Sequence, residues 1–306
     1  MLLRLFSPLL VALALGGCGA AHDEGANGRL SVVATTGQVA DIARNVGGRR
    51  VDVETILPPQ TDPHSYEPRP SDAAALADAD VVLQSGGDVD AWLDDLVGSA
   101  SPNVRNVTLL DRVRPRTADP HWWLDPRRAE PATEAIRQAL SKADPAGRDR
   151  YRAAAARYID RLRRADSRIA ACLERLPPDE RRIVTTHDAL RTFGERYGLD
   201  AGESVLPSLA SEAQASVKDV NALVDDVSAA RIEAIFPEAA LSDKLERAVA
   251  RDAGTTIGAP LFTDSLGAAG TPAATYLGSL RENARRIALG LSGGKLRCFE
   301  GGRDSL

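Results

Sequence analysis

Between residues 145 and 176 the side chains Tyr151, Ala155, Tyr158, Leu162, Ala165, Ile169, Cys172 and Leu176 recur in steps of four and three. That period lines them up along one side of a single helix. At 1.5 Å per residue the segment would run about 45–50 Å, more than one small domain needs. Two lobes braced by the helix would satisfy this pattern. So would one domain carrying a long surface helix.

The flanks favour two lobes. Residues 30–36 (LSVVATT) read as a buried strand, 38–46 as a helix closed by Gly47-Gly48, and 51–57 as an alternating strand. Ser71 is placed to cap a helix whose first turn carries Asp72. Residues 81–83 read as a strand, with 88–97 and 126–140 as helices. Beyond the long helix the pattern restarts. Strands are expected at 182–185, 232–236 and 255–258, and helices at 189–197, 217–229, 241–253 and 276–291. Strands alternating with helices imply parallel sheets. The expected fold is α/β, with two similar lobes joined by one long rigid α-helix. Each lobe is a small parallel sheet with flanking helices. The divisions fall at 1–17 (leader), 18–29 (tether), 30–144 (N-terminal lobe), 145–176 (linking helix) and 177–306 (C-terminal lobe).

Residues 1–17 carry one charge, Arg4, followed by an apolar run ending in Leu15-Gly16-Gly17-Cys18. The run is too short to span a bilayer and reads as a signal peptide. Leu-Gly-Gly-Cys resembles a bacterial lipobox, in which the Cys18 thiol takes a diacylglycerol. Losing Arg4 with the leader moves the formal charge from −5 to −6. The small, polar residues 19–29 read as a tether, with His22 solvated within it. The arginines are scattered and offset by acids, so no nucleic-acid partner is expected. With Cys18 lipidated, Cys172 and Cys298 remain. Export favours a disulfide between them, although two buried free thiols also fit.

Three histidines lie beyond the tether: His64, His121 and His187. Each stands at a loop edge or just after an inferred strand, where α/β folds concentrate function. Two share a local form, Asp62-Pro63-His64 and Asp119-Pro120-His121. The third lies in Thr185-Thr186-His187-Asp188. Proline limits motion just before the imidazole, and a nearby acid can orient a ring through its second N–H. The spacings of 57 and 66 residues match no short zinc motif. Residue types alone indicate a possible metal site and little more.

Four segments carry a resemblance. Thr61–Asp72 (TDPHSYEPRPSD), Asp119–Pro126 (DPHWWLDP), Thr186–Leu199 (THDALRTFGERYGL) and Thr263–Gly267 (TDSLG) follow a first strand containing Val33-Ala34-Thr35-Thr36. In that order they resemble the zinc and manganese substrate-binding lipoproteins of ABC importers, the cluster A-I family. The resemblance implies metal ligands His64, His121, His187 and Asp264, two from each lobe. Glu238 is a reserve ligand or outer acid, and Asp119 and Asp188 are outer acids. It implies a binding protein, not an enzyme, that delivers an ion to an importer permease. The protein would be monomeric and anchored by lipid outside the cytoplasmic membrane (in the periplasm of a Gram-negative cell). Three imidazoles and one carboxylate suit Zn2+ in four coordination, while manganese prefers more oxygens. Family members that handle manganese tend to carry Glu where this chain has His187. Mn2+ or iron binding within the same family is the alternative. A metal-dependent hydrolase or a surface adhesin stands further off. Many zinc members carry a His-rich loop between the first two ligands, whereas residues 65–120 contain no His.

Overall fold

The computed structural model describes residues 28–94, 96, 104–113, 119–206 and 216–299. The leader, Cys18 and His22 lie outside them. The N-terminal lobe contains β1 (Leu30–Ala34), α1 (Gly37–Gly47), β2 (Val51–Thr55), α2 (Pro70–Ala77), β3 (Val81–Gln84), β4 (Arg105–Thr108), a single helical turn α3 (Leu110–Val113) and α4 (Pro126–Ala143). Next comes α5 (Arg148–Leu173). The C-terminal lobe has β5 (Arg182–His187), α6 (Arg191–Tyr197), β6 (Asp200–Leu206), α7 (Val217–Ala229), β7 (Ala234–Phe236), α8 (Lys244–Ala253), β8 (Thr256–Ile257) and α9 (Tyr276–Leu291).

Both sheets are parallel and share one strand order, β2-β1-β3-β4 and β6-β5-β7-β8. Central strands covered on both faces run largely apolar, and β3 is buried at every position, its one polar residue, Gln84, being hydrogen-bonded to Asp94 and Asn106. Ligand sites in such sheets gather at the carboxyl ends of the strands. The loops after β2 and β4, the end of β5 and the loop after β8 all lie there.

Helix α5 carries the expected stripe: Tyr151, Ala155, Tyr158, Leu162, Ala165, Ile169 and Cys172 are all buried. It is shorter than the pattern suggested, 26 residues or about 39 Å. A 3-10 turn at Pro145–Gly147 precedes it, and the chain leaves the helix after Leu173. The helix packs on α4, α1 and α9, so one continuous apolar core runs along it through both lobes. Smaller clusters fill the outer sheet faces, Val33 with Ile56 and Val82 in one lobe, Val184 with Leu223 and Ile235 in the other. A disulfide joins Cys172, near the end of α5, to Cys298 beyond α9.

Two expectations fail locally. Ser71 does not cap α2. Proline fits the first helical position, where no N–H is needed, so the helix starts at Pro70. That places Asp72 to reach back and accept the Arg69 N–H at 2.7 Å. Nor does a helix begin at Asp88. Residues Gly87–Val89 and Ala91–Leu93 form 3-10 turns. Here the Asp90 carboxylate accepts the N–H of Ser85 (2.6 Å), the N–H of Gly86 (2.8 Å) and the Thr35 hydroxyl (2.6 Å). These bonds fold the segment back on itself, with Gly86 and Gly87 supplying the positive φ (95° and 80°).

Candidate metal centre

The loop after β2 carries His64. Asp62 accepts the backbone N–H of His64 (3.1 Å) and the Ser65 hydroxyl (2.9 Å). It therefore shapes the turn and does not orient the ring. His121 follows β4. Asp119 Oδ1 accepts its backbone N–H (2.9 Å) and lies 2.8 Å from its Nδ1. His187 ends β5. Glu238, just after the neighbouring strand β7, makes the same double contact, with the backbone N–H at 2.9 Å and Nδ1 at 2.8 Å.

Each lobe thus uses one carboxylate to hold one histidine at two points. The second oxygen of each carboxylate accepts a threonine hydroxyl at 2.5 Å. Thr192 serves Asp119 from across the lobe boundary, and Thr263 serves Glu238. A carboxylate on Nδ1 keeps a proton on that nitrogen, so in the neutral ring it is the Nε2 lone pair that is directed inward.

Asp264 meets all three rings. Its oxygens lie 3.6 Å from His64 Nε2, 3.5 Å from His121 Nε2 and 3.3 Å from His187 Nε2. One ligand atom from each of the four residues can be chosen so that all lie within 4.8 Å of one another. A tetrahedral zinc shell with bonds near 2.0–2.1 Å places its donors ~3.3 Å apart. The contacts of Asp264 Oδ2 to His64 and His187 are at or close to that spacing, as is that of the other oxygen, Oδ1, to His121. The three Nε2 atoms and Asp264 Oδ1 are buried without hydrogen-bond partners. Buried polar atoms are seldom left so, and an ion would satisfy all four together.

The charges follow from this packing. Burial raises the Asp264 carboxyl, but His121 and His187 outweigh it and hold the group well below the usual carboxylate range. Burial opposes charge on His187, yet Glu238 and Asp264 push it up to about 11. Burial also opposes charge on His64, and Asp264 overrides it to raise the pKa. Burial raises Asp119, and its bond to His121 turns the net shift downward.

The neighbours fix this geometry across the lobes. Trp123 donates its indole N–H to the Thr263 carbonyl (2.7 Å), and the Tyr276 hydroxyl donates to the Trp123 carbonyl. Asp188, expected as an outer acid, turns instead to Arg191 three residues on. Its side chain leaves the strand end toward α6, and the partner of the His187 ring comes from β7. Thr192 and Thr263 were not singled out in the sequence. Thr263 sits in the TDSLG segment beside Asp264 and Thr192 in the Thr186–Leu199 segment, but neither segment shows which carboxylate its threonine would meet. Replacing Glu238 with Gln is expected to weaken metal binding about 10–100-fold, the usual effect of losing a ligand's outer carboxylate. Chelator competition on the folded variant measures it, and unchanged affinity would contradict the role.

The family model for zinc-uptake complex component A, periplasmic (ZnuA), matches residues 32–290. The manganese-binding lipoprotein MntA of Bacillus subtilis is 32% identical over 298 residues, covering 92% of this chain and 97% of that protein. The periplasmic zinc-binding protein TroA of Treponema pallidum superposes with a TM-score of 0.81 at 26% identity, covering 86% of this chain and 99% of TroA. A manganese-bound periplasmic metal-binding protein of Candidatus Liberibacter asiaticus gives a TM-score of 0.77 at 25% identity, covering 86% of this chain and all of that one. Fold, strand-end histidines and the match along almost the whole described chain agree, and the chain belongs to the zinc-uptake complex component A family, the metal-binding substrate-binding proteins of ABC importers.

Proposed function

We propose that the protein, anchored through Cys18 on the extracytoplasmic side of the membrane, captures one zinc ion with His64, His121, His187 and Asp264 and hands it to an importer permease. The observation that carries this reading is the donor set, with three buried imidazole nitrogens converging on one carboxylate. Borderline nitrogen donors and four coordination favour zinc, while manganese favours octahedral oxygen. Relatives named for manganese make that ion the second reading. Native mass spectrometry followed by competition titration separates the two. One tightly held zinc per chain is expected, with manganese much weaker. A second tight ion or a preference for manganese would overturn the zinc reading.

A cleft of about 420 Å3, walled in part by Leu57, Pro58, Pro59 and Leu266, reaches Asp264 from outside. It offers the ion a route on the carboxylate side. The permease would draw the ion out only by binding the opened form better than the closed one.

Binding is expected to release protons. His187, pushed up to about 11 by Glu238 and Asp264 against its burial, is protonated in the metal-free chain at neutral pH. Zinc needs the lone pair of His187 Nε2, the nitrogen that faces Asp264. For each proton displaced, affinity falls about tenfold per unit decrease in pH, throughout the range below the raised pKa. Titration calorimetry in two buffers of different ionisation heat counts the protons. At least one per zinc is expected, and none would contradict the assignment of His187.

A further inference from the structure

Away from the metal centre, a small cavity of about 150 Å3 opens between β4 and α4. Arg105, Asn106, Arg112, Gln138 and Lys142 line it over aliphatic side chains, and no carboxylate does. Several arginines elsewhere find acids: Arg50 pairs with Asp144, Arg137 with Glu134 and Arg163 with Glu130. Arg105, Arg112 and Lys142 pair with none among the described residues. The two amides are engaged, Asn106 donating to Gln84 (2.6 Å) and Gln138 to Glu134 (3.2 Å). The Arg105 Nε–H is buried without a partner.

Three like charges around one cavity repel each other unless an anion is shared between them. The volume equals that of about five waters at ~30 Å3 each, room enough for the five heavy atoms of a phosphate. Guanidinium forks match phosphate oxygens in pairs, and an ammonium adds a point charge.

Position narrows the source of the phosphate. Arg105 opens β4 in register with Val81, as Leu30 opens β1 in register with Val51. The cavity therefore reaches the strand-start side of the lobe, the side where the chain enters from its tether. Nine residues, 19–27, separate Cys18 from Gly28, so ten Cα-to-Cα steps join the two. Even fully extended they reach at most ~35 Å.

We propose that this cavity binds the phosphate of an anionic phospholipid headgroup in the membrane that holds the anchor. The proposal uses the lipid anchor of the reading above and is independent of the metal. Headgroup binding fixes how the N-terminal lobe sits on the bilayer, which a flexible tether alone does not.

The test uses the mature chain with Cys18→Ser, which cannot be lipidated. It is mixed at low ionic strength with phosphatidylcholine vesicles with and without phosphatidylglycerol. Binding to the phosphatidylglycerol vesicles is expected despite the chain's net negative charge. At ~1 kcal/mol per basic residue near an anionic surface, the double variant Arg105→Gln/Lys142→Gln should bind about 30-fold more weakly. The double variant Arg157→Gln/Arg164→Gln removes the same charge from exposed sites on α5 and should bind as the parent does. Zinc binding, measured on every variant, reports that each is folded. No vesicle binding, or equal losses in both double variants, would overturn the proposal. Saturable binding of inorganic phosphate without vesicle binding would overturn the membrane assignment and leave a site for free phosphate.

Discussion

Replacing His121 with alanine is expected to weaken zinc binding roughly 10²–10³-fold, more than Asp264→Ala. Protein zinc sites of four ligands bind with ~10–16 kcal/mol in favourable cases, or about 2.5–4 kcal/mol per ligand. At 1.4 kcal/mol per decade that is the stated range. His121 is the more rigidly held of the two. Asp119 grips it at two atoms, and Trp123 packs edge-on against its ring at 5.4 Å. An imidazole fixed in this way has no substitute in water. An oxygen ligand does, and the cleft that reaches Asp264 admits one. Asp264→Ala should therefore still bind zinc but release it faster, because His187 would be the sole donor left from the C-terminal lobe. Chelator competition gives the affinities and stopped-flow mixing the release rates. If Asp264→Ala abolishes binding while His121→Ala retains it, the ligand set is wrong and Glu238 must be reconsidered.

Removing the Cys172–Cys298 bridge should lower the stability of the metal-free chain by about 4–5 kcal/mol. The bond spans 126 residues, and closing a loop of that length in the unfolded chain accounts for the figure in the chain-entropy model. Whole domains are stable by only ~5–15 kcal/mol, so the loss is severe. Metal must be absent, since ligand binding would mask the change. Urea unfolding of Cys172→Ala/Cys298→Ala beside the parent measures it. The denatured parent carrying Cys18→Ser should show no free thiol. An unchanged urea midpoint would mean that the two segments stay together without the bond.

What was legible in the sequence follows from how local each signal is. The α5 stripe is set by neighbouring turns of one helix, so its buried face could be named residue by residue. Helix α9 could be bounded at both ends for the same reason. Strands β4 and β6 were missed. Both are edge strands, short or polar enough (RNVT, DAGESVL) that only pairing with β3 and β5 defines them. The histidines stood out because they are few, and the DPH repeats marked two of them. Their convergence came from family resemblance, since no period links residues 57 or 66 apart. The outer carboxylates divide in the same way. Asp119 lies two residues from its histidine and was named as an outer acid. Glu238 lies 51 residues from His187 and could be named only as a reserve, because its contact exists only once β5 and β7 are side by side.

With Cys172 and Cys298 joined, the described residues hold no free thiol, and the chain's single methionine is Met1. The proposed donors are nitrogen and oxygen alone. Peroxide empties cysteine-held zinc sites by carrying thiolates to sulfenic and sulfinic acids. Beside this ion it would find no sulfur to attack. A carrier working outside the cytoplasm, beyond the cell's thiol reductants, would keep its cargo under oxidative assault that strips thiolate zinc sites.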